Sequence, residues 1–156
     1  MSRSSGPLPA WSGAFAPETL RRIQNPPPLD AKAITPALAW GDGTGHSVKV
    51  AVIDSGVDAS HPDVSRVQGY VSFRERKGRI EIDESPHRDD YGHGTACAGI
   101  IRSLSPECEI YSIKVLDQDL AGRGAIFAAG LRWAIENGMS VCNMSLSTGR
   151  NEFFGL

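Results

Sequence analysis

The sequence predicts an α/β domain of three layers, with helices on both faces of a mostly parallel sheet. Two observations predict it. Short β-branched apolar runs of strand length recur along the chain, and from residue 92 onward they alternate with helical periodicities. Such alternation implies parallel pairing through right-handed crossovers, which places helices on both sheet faces.

The first element is a strand. Val48-Lys49-Val50-Ala51-Val52-Ile53 is short, apolar and β-branched, the pattern of a strand buried on both faces. The Gly41-Asp42-Gly43-Thr44-Gly45 stretch before it reads as a loop. Two extended stretches follow, near Val67 to Phe73 and Arg79 to Ile82, separated by a charged turn. Then the period changes. His93, Cys97, Ile100, Ile101 and Leu104 fall on one helical stripe, expected to face the core. Ile110 to Leu116 is the next strand. Phe127, Leu131, Ala134 and Ile135 mark a second helix, closed by Asn137-Gly138 as its C-terminal cap. Ser140 to Met144 makes a further strand, and Asn151 to Leu156 reads as the opening of another helix. Residues 1–29 are rich in Pro, Ser and Gly and end in a triple proline; they read as an arm, interrupted by a short helix from Pro17 to Gln24. Residues 30–156 form the folded domain.

Composition narrows the function classes. The 156 residues are 40% apolar and 22% charged, the balance of a globular domain with one core. A net charge of -2 offers no footprint for nucleic acid or an anionic membrane surface. No apolar run approaches the roughly 20 residues that span a bilayer, and the first residues hold no apolar stretch of the secretory kind. Cys97, Cys108 and Cys142 are an odd, widely spaced set, which fits a reducing compartment. The expected location is the cytoplasm.

Two residues carry the chemistry. Asp54 ends the first buried strand, where parallel α/β sheets place functional groups. A carboxylate there can hold an imidazole in one tautomer and stabilise its cation; alone, it reads equally as a turn cap before Gly56. His93 opens the first helix between Gly92 and Gly94. The positive end of a helix disfavours an imidazolium, so a base here needs a nearby anion, which Asp54 could be. Alone, His93 reads equally as a packing residue.

The segments around these residues are more specific. Val50-Ala51-Val52-Ile53-Asp54-Ser55-Gly56-Val57-Asp58, followed by His61-Pro62-Asp63, resembles the aspartate signature of the subtilisin-like serine proteases. His93-Gly94-Thr95-Ala96-Cys97-Ala98-Gly99 resembles their histidine signature, and Asn143-Met144-Ser145-Leu146 their next strand motif. The likeness covers about residues 39 to 149 and occurs in the family's order. It implies a subtilisin-like fold and an endopeptidase in which His93 is the general base for a serine and Asp54 orients and charge-stabilises it. It also implies that Ser145, Leu146 and Ser147 form one wall of a substrate channel, and Gly122, Arg123 and Gly124 the other, so that a peptide or protein substrate binds as an added strand.

The chain departs from the family in four respects. The serine motif (Gly-Thr-Ser) is absent, as is the asparagine of the oxyanion hole. Ala96 replaces a usual histidine, and the link from helix to strand at Arg102 to Pro106 is too short for the calcium loop of many bacterial subtilisins. No cofactor and no metal is expected. The chain is therefore expected to be the N-terminal, truncated portion of a protease domain, inactive alone, with a separate chain carrying the serine half as one conceivable partner. The alternative is a non-catalytic module that binds peptides or a partner.

Three weaker patterns are present. His87, Asp89, Asp90 and His93 are metal-ligand types in close sequence, but Asp89-Asp90 before a helix start reads better as favourable terminal charge. The Gly41-Gly43-Gly45 loop lies on the wrong side of its strand to cradle phosphate. Cys97, on the expected core stripe, reads as a buried small apolar residue.

Overall fold

The structure, a computed structural model, describes residue 35, residues 41–118 and residues 122–145. The chain divides into two compact units, Met1–Asp42 and Gly43–Leu156, and every element below belongs to the second. The expected arm, its short helix, the opening of a helix at 151–156, and Leu146 and Ser147 lie outside the described residues.

In chain order the elements are β1 (Lys49–Asp54), β2 (Gly69–Arg76), β3 (Arg79–Asp83), α1 (His93–Leu104), β4 (Glu109–Lys114), α2 (Gly124–Glu136) and β5 (Val141–Asn143). They build a five-stranded sheet in the order β3-β2-β4-β1-β5. β1 pairs in parallel with β4 and β5, and β2 with β4; only β3 is antiparallel, hairpinned onto β2. Lys77 and Gly78 make that hairpin with φ of 51° and 74°, a two-residue turn whose backbone matches the twist of the flanking strands. This mostly parallel sheet is the expected α/β fold.

Strand alternation divides the core in two. Ala51 and Ile53 of β1, Val71 and Phe73 of β2, and Ile113 and Val115 in and after β4 pack with Ile126 and Ala134 of α2. Their neighbours Val50, Val52 and Ile110 face the other way, onto Ala98 of α1 with Val57 and Val64. Among the described residues, one helix thus covers each face. α2 ends as its sequence predicts: Gly138, at φ 67°, donates its N–H to the Ile135 carbonyl, and Met139 donates to that of Ala134. These are the two bonds of a Schellman cap.

The helix faces correct one expectation. The buried residues of α1 are Gly94, Thr95 and Ala98; of the expected stripe, Cys97 and Ile101 pack half-buried against the core, whereas Ile100 and Leu104 are 63% and 53% exposed. Close approach of α1 to the sheet explains this. A Cβ on Gly94 would lie 2.1 Å from the Gly56 carbonyl oxygen and 3.1 Å from the Asp54 Cβ, so the first turn of α1 has no room for a larger side chain where it meets the end of β1. In α2, Ile126, Gly130 and Ala134 are buried, and Ile135 is exposed. No helix among the described residues is long and apolar enough to cross a membrane.

Candidate active site

Parity along β1 decides where Asp54 points. Val50 and Val52 face α1, so Asp54, two residues further on, faces the same side at the strand's C-terminal end. The Gly94 approach brings the first turn of α1 against that end. Both Asp54 carboxylate oxygens lie 2.9 Å from His93 Nδ1. Asp54 is fully buried and the His93 side chain is 37% exposed. A carboxylate only accepts hydrogen bonds, so Nδ1 carries a proton, and in the neutral ring Nε2 is the nitrogen with the lone pair. Chemically, that is an imidazole held in the tautomer of a general base, with an anion ready to balance its cation.

The carboxylate is held in turn. Asp54 Oδ1 accepts the Ser55 backbone N–H at 2.7 Å and lies 3.1 Å from the Ser55 hydroxyl. Gly92 precedes α1 at φ 101°, a conformation that favours glycine, and supplies no side-chain cap. Asp89 caps the helix instead. Its Oδ1 accepts N–H groups of Tyr91 and Gly92 at 3.1 and 2.8 Å, and its Oδ2 accepts the Thr95 N–H and hydroxyl at 2.8 and 2.6 Å. Ser55 Oγ lies 2.8 Å from Asp89 Oδ1 and accepts the Gly94 N–H at 3.2 Å. Thr95 Oγ1 also accepts the Asp58 N–H at 3.0 Å. Burial opposes ionisation of Asp89, but the bonds from Thr95, Gly92 and Ser55 outweigh it and hold its carboxyl below the ordinary 3.8.

The remaining candidates separate. Asp90 pairs with Lys114 at 2.5 Å, and the same ammonium donates to the Arg88 carbonyl at 3.0 Å. His87 Nε2 is 2.8 Å from Ser112 Oγ, and its ring stands edge-on to Tyr70. Burial, with the Lys114 charge, pushes the His87 pKa below 6.5. So His87, Asp89, Asp90 and His93 go to different partners rather than one ion. Among the described residues, one donor set does converge: Asp54, His93 and Cys97 present ligand atoms within 4.8 Å of one another. A metal there would have to break the Asp54–His93 bond. Cys97 is half-buried, packed against the edge of the α1-side core and also beside the site, and its thiol donates to Ser145 Oγ at 3.6 Å.

Of the expected channel residues, Gly122 and Arg123 line a groove of about 660 Å³ that also takes in Phe73, Asp90, Lys114 and Leu116. Arg123 stands at the N-cap of α2, its guanidinium 2.7 Å from Glu75, and Gly124 is the first helical residue. Ser145 is elsewhere, donating its hydroxyl to Asn143 Oδ1 at 3.2 Å near Cys97. Sequence reasoning missed Ser55 and Thr95 and read Asp89 only as terminal charge. An Asp three residues before a glycine at a helix start was the available signal.

Comparison with known proteins bears on this geometry. A sequence model described as "Subtilase family" matches residues 45–153. Subtilisin E of Bacillus subtilis (strain 168) is 42% identical over 120 residues, covering 71% of this chain and 30% of that protein. The minor extracellular protease Epr of the same organism is 40% identical over 122 residues, covering 70% of this chain and 17% of that one. A crystal structure of a lanthipeptide protease superposes with a TM-score of 0.56 at 33% identity, covering 67% of this chain and 30% of its own. The chain thus spans less than a third of the length of these relatives.

Proposed function

This chain belongs to the subtilase family, and on that premise we propose that it supplies the aspartate and histidine of an Asp-His-Ser triad in a serine endopeptidase. The observation that carries the reading is the 2.9 Å approach of His93 Nδ1 to the buried Asp54 carboxylate. In this reaction His93 Nε2 takes the proton of an attacking serine as its oxygen bonds to the peptide carbonyl carbon. Asp54 balances the imidazolium, and the proton passes to the leaving amine as the acyl-enzyme forms. Water then repeats the sequence to release the acid.

The nucleophile comes from residues beyond these 156, which contain no Gly-Thr-Ser. Ser145 does not fit the role, since its hydroxyl bonds Asn143 and its partner is Cys97. In subtilisin, a relative, loss of the serine costs about 10⁶-fold in turnover, so the chain by itself is inactive in this reading. The substrate is an extended peptide or protein lying along Gly122, Arg123 and Gly124 on one side and Ser145, Leu146 and Ser147 on the other; the groove beside Gly122 and Arg123 supports the first of these walls. We place the activity in the cytoplasm, in processing of a peptide, a role supported by three unpaired cysteines.

A fluorophosphonate probe tests the assignment. It is expected to leave the purified 156-residue chain unlabelled and to label a longer form that includes the Gly-Thr-Ser segment. Labelling of the short chain overturns the proposal. In an active longer form, Asp54→Asn is expected to lower kcat about 10⁴-fold, the scale of a triad aspartate.

A further inference from the structure

We propose that Asp89 is a positioning residue that acts on the Asp54–His93 pair through the Ser55 hydroxyl, an inference that rests on the roles assigned to that pair above. The Ser55 hydroxyl has one hydrogen and two carboxylates within reach. Asp54 Oδ1 is 3.1 Å away and Asp89 Oδ1 is 2.8 Å away. Its lone pairs meet the Gly94 N–H at 3.2 Å. The shorter contact holds the proton, so Ser55 donates to Asp89. Asp54 Oδ1 is then left with the Ser55 backbone N–H at 2.7 Å and the His93 ring at 2.9 Å.

Fewer donors on a carboxylate oxygen leave it a stronger acceptor for the donors that remain. By drawing the Ser55 proton away, Asp89 preserves the strength of the bond from His93 Nδ1. It also fixes the geometry, because the same carboxylate grips the N–H groups of Gly92 and Thr95 on either side of His93. The anion thereby offsets the positive helix end beside the imidazole. Asparagine at position 89 could donate its amide to Ser55 Oγ. The hydroxyl would then turn to Asp54 and compete with the imidazole.

The test reads the proton on His93 Nδ1 by NMR in the ¹⁵N-labelled 156-residue chain. Asp89→Asn is expected to move that resonance upfield and to speed its exchange with water roughly tenfold, the effect of weakening one charge-assisted hydrogen bond. Ser55→Ala, which leaves Asp89 in place, is expected to leave the resonance where it is. In the Ser55→Ala background, Asp89→Asn is expected to have no further effect on its position. A helix cap acting only on folding would shift the melting temperature and give the same resonance change with or without Ser55. The proposal is overturned by an unmoved resonance in Asp89→Asn, by equal shifts in the two backgrounds, or by a downfield shift in Ser55→Ala alone. The last variant keeps the test decisive if Asp89→Asn does not fold. The readout needs no proteolysis, so an inactive longer form would refute the proposed function and leave this coupling standing.

Discussion

The two faces of the sheet are built from alternate residues of the same strands, yet they differ at one end. On the α2 face, apolar side chains persist to the C-terminal ends of β1 and β4: Ala51 and Ile53, Ile113 and Val115, with Val71 and Phe73 of β2 beside them. On the α1 face, Val50, Val52 and Ile110 give way toward the C-terminal ends to Asp54, Ser72, Ser112 and Lys114, all buried. The first face is held by area removed from water and is indifferent to direction. The second is held by partners. Asp54 has His93, Ser112 has His87, and Lys114 has Asp90. Buried polar groups cost stability unless bonded, so this end tolerates only an arrangement that satisfies each of them. That is the difference between a core and a site.

The largest expected effect breaks the polar face at its point of closest approach. Gly94→Ala puts a Cβ 2.1 Å from a backbone oxygen that cannot move aside, while Gly130→Ala on the other face meets methyl groups of Val115 and Ile113 at 2.6 and 3.2 Å. Denaturant unfolding should show a loss of about 4 kcal/mol or more for the first and about 1–3 kcal/mol for the second. Equal losses would mean the faces are alike.

Next, Ile53→Ala on the α2 face should cost about 2–5 kcal/mol and leave the His93 Nδ1 proton resonance unmoved. A shifted resonance would show that the faces are not independent.

Smaller is the pH response of the polar face. The His87 pKa is depressed in the fold, by burial and then by Lys114, so the unfolded chain binds the proton first as pH falls. The contribution is complete above about 6.5 and is lost as pH falls from there through the folded value. Melting temperatures of the protein should drop over that range relative to His87→Gln, whose profile should be flatter. Parallel profiles would exclude His87 as the cause.

The smallest effect concerns the outer side of α1. Ile100 is 63% exposed, and Ile100→Gln should change stability by no more than about 0.5 kcal/mol. A loss typical of a core residue would restore the stripe that hydrophobicity alone suggests.

That stripe shows where sequence reading stops. Periodicity located α1 and marked its large apolar residues, but it could not see that β1 would come so close that Gly94, Thr95 and Ala98 must face inward. Size as well as hydropathy chose the buried side, since Cys97 and Ile101 also pack against the core. The Schellman cap at Asn137-Gly138 was legible because it is local. Pairing Asp54 with His93 came from the likeness of two segments to a known family, not from composition or spacing. The Asp89 bonds to Ser55 and Thr95 had no such signature. Each is a side-chain contact whose partner depends on how two elements dock.

By itself, then, the order of residues determined the strands, the helices and their succession, along with which two segments carry the carboxylate and the imidazole. The elements follow from near neighbours, since propensity, period and capping act over a few positions; the two segments were legible by their likeness to a known family. Tertiary structure alone decided that α1 turns its small residues to the sheet, that Cys97 stands beside the site, and that one serine hydroxyl is shared between two acids. Those facts arise where β1, the Asp89 segment and the start of α1 meet. Contacts between residues 34 and 39 positions apart are set by the packing of elements, which no local pattern encodes.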